Sequence, residues 1–213
     1  VNVCNDPDGA RTGLVVERSE RDVWRNSAFE TGLVFSPNAT TNWFVAYAQS
    51  FRTPNVDELV LATETLGPQT SDNVDAGVRF RLLDDAVRLS MALFWSETDN
   101  EILFSTGPAP SVGLPISGDN PALIGLNRNS PEAVERRGGE ADLQWFATQK
   151  LSLRATLGYT RARFDDSRNT VPLVPEWTGG VSADYAFNDD LNLIVRSNYT
   201  GRRFDGNDID NAG

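Results

Sequence analysis

The most constraining feature of this sequence is an alternating run that ends just before a proline. In WFVAYAQSFR, from Trp43 to Arg52, large residues collect at odd positions and mostly small ones at even positions. A period of two is that of a β-strand, whose successive side chains point to opposite faces. Pro54 then ends the ladder because it has no N–H to donate. One face therefore meets apolar surroundings, while the other lines an interior with limited room.

The same alternation recurs along the chain. From Asp72 to Leu82 apolar side chains occupy every second position, and a tight turn at Asp84 and Asp85 leads into a further run from Val87. Further strands are predicted at about Val23 to Phe35, Glu132 to Phe146, Leu151 to Tyr159, Pro175 to Phe187 and Leu191 to Thr200. This gives about eight strands, each near or above the ~9–11 residues that cross a bilayer at a tilt.

Short and long connections alternate between these strands. Short turns are predicted near Asn38, Asp84, Thr148 and Asn188, and longer loops at 54–70, 104–130 and 165–174. In a membrane barrel the short turns are periplasmic and the long loops extracellular, which fixes an orientation. The stretch from Phe104 to Ser130, rich in Gly, Pro, Ser and Asn, is predicted to be a long structureless loop on the extracellular side.

Aromatic residues fall into two bands, as expected for girdles at the two membrane interfaces. Near the short turns lie Phe35, Trp43, Trp145 and Phe187. Near the long loops lie Phe51, Trp95, Tyr159, Trp177 and Tyr199.

Composition excludes several classes of function. The chain has 213 residues with 30 acidic and 19 basic side chains, a net charge of −11, and this acidic balance argues against a nucleic-acid partner. No run of 18 apolar residues occurs, which excludes a membrane helix. A barrel, however, hides its apolar surface in alternate positions, so the mean hydropathy of −0.36 fits either class.

The sequence carries no convincing catalytic or metal-binding constellation. With no histidine and only one cysteine, the usual nucleophile–base pairs and zinc sites are missing. The acidic pairs Asp84–Asp85, Asp165–Asp166 and Asp189–Asp190 are predicted to be solvated turn residues. The segment GNDIDN, Gly206 to Asn211, is rich in oxygen ligands but lacks the spacing of a calcium loop. We therefore expect a protein that is not an enzyme and has no cofactor or resident metal.

The face opposite the apolar one is strongly charged. It carries Asp75, Arg79, Arg81, Glu140, Asp142, Arg154, Asp184 and Arg196. Such a face is too charged for the core of a soluble β-sandwich, which is the alternative interpretation of the alternating strands, but it suits a wet or plugged lumen. The arginines of this face could attract an anionic ligand, or they could pair with lumenal carboxylates.

Several motifs resemble one known family. The positions Tyr47, Phe51, Arg52, Pro54, Asn55, Glu58 and Leu59 are similar to the strand-to-loop signature in the barrel of TonB-dependent outer-membrane receptors. The similarity continues in order through segments 66–81, 89–102, 135–145, 157–164, 171–177 and 199–211. The resemblance implies an all-β fold, an antiparallel transmembrane barrel of which about eight strands are present, within a larger plugged barrel.

The resemblance also implies a function. Receptors of this family bind a scarce nutrient complex, typically a ferric siderophore, at extracellular loops and plug. They import it with energy passed on by a periplasmic partner, the TonB-type protein, which grips an N-terminal box. The outer membrane of a Gram-negative bacterium is the implied location, with its lipid as a further partner. Candidate ligand-binding residues, in the lumen and loops, are Arg52, Arg79, Arg81, Arg154 and Arg196, whereas the seven signature residues are expected to be architectural.

Residues 1–213 are expected to be part of the barrel domain, without the plug domain, the partner-binding box or the final C-terminal strands. Two functions remain open. One is an energised receptor, with cobalamin, haem or a glycan as alternatives to a ferric siderophore. The other is a passive barrel or surface binding protein, whose loops bind partners without energised transport.

Overall fold

The chain forms a single large antiparallel sheet with two small β-ribbons. A computed structural model describes residues 2–5, 11–15, 23–60, 62, 65–108, 123–206 and 208–211. The elements are β1 (Asn2–Asn5), β2 (Arg11–Val15), β3 (Phe29–Asn38), β4 (Thr41–Arg52), α1 (Val56–Val60), β5 (Gln69–Leu82), β6 (Val87–Asp99), β7 (Ile102–Pro108), β8 (Leu123–Asn129), β9 (Val134–Phe146), β10 (Leu151–Phe164), β11 (Trp177–Ala186) and β12 (Asn192–Thr200). No helix among these residues is long and apolar enough to cross a membrane.

The large sheet is a meander of eight strands in the order β12-β11-β10-β9-β6-β5-β4-β3. Consecutive strands are neighbours except where the ribbon β7–β8 is inserted between β6 and β9. All pairs are antiparallel, so short turns join the strands at one end and longer loops at the other. We name these the short-turn end and the long-loop end.

Side chains alternate between two chemically distinct faces of the sheet. On the outer face, large apolar residues stay exposed, including Leu93 at 69%, Val181 at 60% and Val195 at 57%. The inner face carries polar and charged residues such as Asp75, Arg79 and Asp142, together with small ones. A contiguous apolar surface of this kind marks a surface that meets lipid or protein and not water. Within the described residues no second sheet packs on it, so the sandwich alternative does not describe this structure.

The one cluster of buried apolar residues among the described residues lies at the long-loop end, whereas Val78 on β5 is buried outside it. Val134, Ala162, Phe164 and Val171 form a small core cluster, against which Leu103, Val174 and Ile209 pack. Three of these residues lie at the ends of β9 and β10, and Val171 comes from the loop 165–176, so this loop folds against the sheet. The cluster is sealed by backbone hydrogen bonds from Val171 to Ala162 and from Asp165 to Ala133.

The structure confirms about eight long strands but corrects three details of the prediction. The first strand of the large sheet begins at Phe29 and not near Val23. The loop 54–70 contains the short helix α1. Both ends of the stretch Phe104–Ser130 are ordered, because residues 102–108 and 123–129 pair from Ile102–Asn129 to Pro108–Leu123, while residues 109–122 lie outside the described part of the chain. Pairing satisfies backbone groups that an open loop would leave to water.

Candidate functional site

The strand-to-loop signature forms a compact hydrogen-bonded unit where β4 leaves the sheet. The Arg52 Nη1 atom donates to both carboxylate oxygens of Glu58, each at 2.9 Å, and Arg52 Nε donates to Gln69 Oε1 at 2.5 Å. Gln69 is the first residue of β5 and lies directly opposite Arg52. Arg52 therefore joins the end of one strand, the start of the next and the helix of the intervening loop. We call Arg52, Glu58 and Gln69 the arginine bridge.

Glu58 also caps the helix α1. The Asn55 backbone N–H donates to Glu58 Oε2 at 2.8 Å, and the Glu58 N–H donates to Asn55 Oδ1 at 2.9 Å. This reciprocal arrangement is a capping box, which satisfies two backbone donors that the first turn leaves without a partner. The buried Pro54 precedes the cap and stops β4. A single carboxylate thus holds both the arginine and the start of the helix.

The other signature residues lie around this unit. Tyr47 points to the outer face, where its hydroxyl donates to Asp72 Oδ1 at 2.5 Å and its ring lies 6.3 Å from that of Phe29. Phe51 is 41% exposed on the same face, and Leu59 lies half-buried in α1. The architectural role expected for the seven residues stays a prediction. Substitutions that remove the contacts described above would test it.

A polar recess opens on the inner face beside the arginine bridge. It has a volume of about 290 Å³ and is lined by Ser50, Phe51, Arg52, Gln69, Ser71, Thr98, Glu101 and Arg136. Ser71 and Thr98 lie opposite each other on β5 and β6 and share a hydrogen bond of 2.8 Å. Hydroxyl, amide, carboxylate and guanidinium groups thus converge on one space at the long-loop end, and we call this space the mouth recess.

Arg136 and Glu101 form a short, partly buried ion pair in the recess. Arg136 Nη1 and Nη2 donate to the two oxygens of Glu101 at 2.8 and 2.6 Å, a bidentate geometry. The two side chains are only 26% and 15% exposed, against 48% for Arg52. Arg136, Glu101 and Gln69 are not among the site residues predicted from the sequence. Strand pairing brings them together, and that pairing is not visible in the spacing of the sequence.

Two asparagines tie the neighbouring loops together. The Gly67 N–H donates to Asn129 Oδ1 at 2.7 Å, while Asn129 Nδ2 donates to the Gly67 carbonyl at 3.1 Å and to the Asn100 carbonyl at 2.6 Å. Asn127 Nδ2 donates to the carbonyl of Glu58 at 3.2 Å. Leu66, next to Gly67, is fully buried. The loop after β4 is therefore fastened to β8 at two points.

A similar link holds the loop 165–176. The Thr170 N–H donates to Asn211 Oδ1 at 2.5 Å, and Asn211 Nδ2 donates to the Thr170 carbonyl at 3.0 Å. Glu132 accepts the N–H groups of Asp166 and Ser167 at 3.0 and 2.7 Å. Asn211 closes the segment that was considered as a calcium loop, and among the described residues no group of three or more potential metal ligands occurs.

The acidic pairs Asp84–Asp85, Asp165–Asp166 and Asp189–Asp190 all lie in connections between strands. Asp84 and Asp85 have positive φ angles of 52° and 67°, a conformation that short polar side chains tolerate. Asp85 lies 3.6 Å from Arg81, and Asp165 pairs with Arg168 at 3.2 Å. Each pair therefore lies where the turn interpretation places it.

Four of the five candidate ligand-binding arginines lie far from the mouth recess. Three of these four, Arg81, Arg154 and Arg196, belong with Arg88 to one cross-strand row that passes through Gln144 and Ser182 on the inner face. The fourth, Arg79, lies on β5 two residues before Arg81. Each lies within a few residues of the short turns. Twelve residues separate Gln69, opposite Arg52, from Arg81 on β5, which is about 40 Å along the strand. Arg52 and this arginine row cannot hold one small ligand at the same time.

The arginines of the inner face differ in their partners. Arg154 is paired with Asp142 at 2.8 Å, and Arg81 donates to the Ala39 carbonyl. Arg79 and Arg88 lie 5.0 and 5.4 Å from the ring centres of Phe44 and Phe146. Arg196 has no ion pair within the described residues. Arg88 was not predicted, although its position opposite Arg81 follows once the register of β5 and β6 is known. The ligand-binding role of all five candidates stays a prediction.

These features define a membrane β-barrel wall, with an apolar outside, a polar inside and linked loops at one end. A family model described as TonB dependent receptor-like, beta-barrel, matches residues 6–213. The chain therefore belongs to the TonB-dependent receptors, and it forms part of their barrel. The barrels of this family lie in the outer membrane of Gram-negative bacteria, which is the location of this chain.

Solved structures show the same fold at low sequence identity. The chain is similar to a ferric enterobactin receptor mutant of Pseudomonas aeruginosa in complex with enterobactin, with a TM-score of 0.65, 18% identity, and coverage of 85% of this chain and 29% of that one. It is also similar to the siderophore receptor PirA from Acinetobacter baumannii (TM-score 0.60, 18% identity, coverage 84% and 30%). The copper transporter OprC gives a TM-score of 0.59 at 14% identity (coverage 73% and 23%).

The chain spans less than a third of the length of each of these structures. A search of curated proteins found no match.

Proposed function

We propose that this chain forms part of the wall of an energised outer-membrane receptor that imports an iron–siderophore-type complex. The ligand is bound by the extracellular loops and the lumen. Import uses energy passed on by a TonB-type partner through a region outside the chain. The observation that carries the proposal is the mouth recess, where a polar space opens on the inner face directly beneath loops that are linked to one another.

The recess suits a chelate that presents oxygen atoms and negative charge. Its hydroxyl and amide groups offer hydrogen bonds, and its two guanidinium groups attract anions. Both arginines are already paired with glutamates, so an anionic ligand competes for these arginines and does not meet free charge. The names of the solved neighbours include receptors for enterobactin and other siderophores, and also a copper transporter.

The distance between Arg52 and the arginine row supports separate roles for them. The arginine row lies about 40 Å along the strand from Arg52. We therefore propose that Arg52 belongs to the capture of the ligand, whereas Arg79, Arg81, Arg154 and Arg196 contact an anionic ligand only during passage, or pair with a domain that fills the lumen. These two roles affect different measurable quantities.

The test uses the complete receptor that contains this chain. Binding of a ferric catecholate, a neutral ferric hydroxamate, cobalamin, haem and Cu²⁺ is measured by calorimetry, and uptake of the bound compound is followed in cells with and without the energy-transducing protein. The proposal predicts a dissociation constant in the micromolar range or tighter for a ferric chelate, and uptake that depends on the energy-transducing protein. Binding without energy-dependent uptake would instead support a passive barrel.

Variants separate the two arginine groups. Arg52→Gln is expected to weaken the binding of an anionic chelate by about tenfold, because one charge-assisted hydrogen-bond partner is lost. Arg196→Gln is expected to leave the dissociation constant within twofold but to lower the uptake rate. An unchanged dissociation constant for Arg52→Gln, in a receptor that binds ferric chelates, would remove this residue from the site.

A further inference from the structure

The outer face changes from apolar to cationic at a definite height on β9 and β10. On β10 the outward residues are Leu151, Leu153, Ala155, Leu157 and Tyr159, followed by Arg161 and Arg163. From Leu151 to Arg161 the strand runs about 33 Å, and a tilt of about 40° reduces this to about 25 Å along the membrane normal. This is the height of the apolar band of a membrane barrel, so Arg161 lies at its extracellular edge.

The basic residues at this edge form a cluster. Arg137 lies directly opposite Arg161 on the adjacent strand, and Arg163 lies opposite Glu135. We call Arg137, Arg161 and Arg163 the outer basic cluster. Arg161 and Arg163 are half-buried, and neither has an ion pair among the residues that the structure describes. Like charges that face each other across strands are destabilising without a counter-ion.

Nearby carboxylates do not neutralise this cluster. Glu135 pairs with Arg137 at 3.7 Å and also accepts the indole N–H of Trp95 at 3.3 Å. Glu97 lies opposite Glu135 on the far side from β10. The three arginines of the cluster together with Glu97 and Glu135 carry a net charge of about +1. Since Glu135 is paired with Arg137, the positive charge that is left lies at Arg161 and Arg163. A lipid-facing surface offers one abundant source of negative charge, which is the headgroup layer of the outer leaflet.

An apolar groove lies directly below the cluster. The outer face has a cavity of about 610 Å³ whose floor includes Ala76, Gly139 and Ala141 and whose sides include Leu93, Leu157 and Tyr159. Gly139 and Tyr159 are paired, and they are the outward residues next below Arg137 and Arg161. Small residues between large ones leave a channel in which an acyl chain can lie in van der Waals contact with the sheet.

We infer that the outer basic cluster and this groove together bind a phosphorylated glycolipid of the outer leaflet, with a phosphate on Arg161 and Arg163 and an acyl chain along Gly139 and Ala141. Free phosphate would contact the arginines but not the groove, and a neutral lipid would contact the groove but form no ion pair with the arginines. The site faces away from the lumen, so it is independent of nutrient import.

The test is a titration of the purified, delipidated receptor with lipid A, a bisphosphorylated glycolipid, in neutral detergent, with bound lipid counted by native mass spectrometry. The triple variant Arg137→Gln, Arg161→Gln, Arg163→Gln is expected to bind about 100-fold more weakly, at roughly fivefold per basic residue. The matched control is Arg88→Gln, which removes one inner-face arginine and is expected to bind lipid A like the parent protein. Heat-modifiable migration on gels checks that each variant is folded.

A second arm compares two lipids that differ only in their phosphates. The parent receptor is titrated with lipid A from which both phosphates have been removed, and binding is expected to weaken at least as much as in the triple variant. Ala141→Phe, which fills the groove, is expected to weaken both lipids alike. Equal affinity of the parent protein for the two lipids, or undiminished binding of lipid A by the triple variant, would overturn the inference.

Discussion

Replacing Glu58 with alanine removes two interactions at once, and the size of the effect follows from the structure. The carboxylate accepts the Asn55 N–H at 2.8 Å and both bonds from Arg52 at 2.9 Å. Loss of one of the two hydrogen bonds of the capping box costs about 1 kcal/mol. The ion pair adds at most about 0.5 kcal/mol, because the Arg52 side chain is 48% exposed and largely screened by water.

The expected change is therefore about 1.5 kcal/mol in the free energy of local opening of α1, which corresponds to roughly tenfold faster amide exchange. Hydrogen exchange of the segment 53–60 in the purified receptor measures this directly. Glu58→Gln keeps an oxygen for the cap but loses the charge pair, so its exchange is expected to rise by no more than about threefold.

Asp57→Ala is the matched control. It removes a carboxylate from the same helical turn, and no hydrogen bond or ion pair of this carboxylate is found within the described residues. Its exchange is expected to change about twofold or less, since only a favourable charge near the helix start is lost. If Glu58→Ala behaved like Asp57→Ala, the capping and bridging assignments for Glu58 would both be wrong.

Three further predictions concern the loops and the sheet. Asn129→Ala is expected to increase amide exchange at Gly67 about tenfold and to open the loop 65–68 to proteolysis, whereas Arg128→Ala, at the exposed neighbouring position, leaves both unchanged. Gly138→Ala would bring a methyl group well inside contact distance of the Tyr159 carbonyl and 2.7 Å from the Phe94 ring. We expect it to lower the urea midpoint by an amount equivalent to about 1–3 kcal/mol. Gly67→Ala is the control and is expected to leave the midpoint unchanged, because the nearest atom lies 3.8 Å from the added methyl group. Glu132→Ala is expected to speed exchange at Asp166 and Ser167 about tenfold, and Glu132→Gln, which keeps an acceptor, much less; equal rates in these two variants would contradict the assigned hydrogen bonds.

The positions of most strands could be predicted from the sequence, because their apolar residues alternate with a period of two. The alternation from Asp72 to Leu82 and the turn at Asp84–Asp85 are local patterns, and β5, the turn and β6 follow them closely. The ribbon β7–β8 was not predicted because its pairing joins residues about twenty positions apart, and no alternation marks them. Its fastening through Asn127 and Asn129 is a tertiary contact.

The candidate site was only partly visible for the same reason. The spacing Asn55-x-x-Glu58 is a capping-box signal that could have been found in the sequence. By contrast, the convergence of Arg136, Glu101 and Gln69 on Arg52 depends on strand register. Register also placed Arg81, Arg154 and Arg196 in one row about 40 Å along the strand from Arg52, and it brought Arg88 into that row. Which residues share a face was predictable, but which share a site was not.

The inserted ribbon bears on how the barrel wall assembles. Every other neighbouring pair in the sheet is joined by a turn or a loop of ordinary length, but β6 and β9 are separated by about 34 residues. If β7 and β8 pair first, the segment that must be closed shrinks to roughly eight residues, which lowers the closure cost by about 1.3 kcal/mol. The ribbon would then hold the start of β9 close to the end of β6. Replacing it with an unpaired linker of equal length would slow the pairing of β9 with β6 about ninefold.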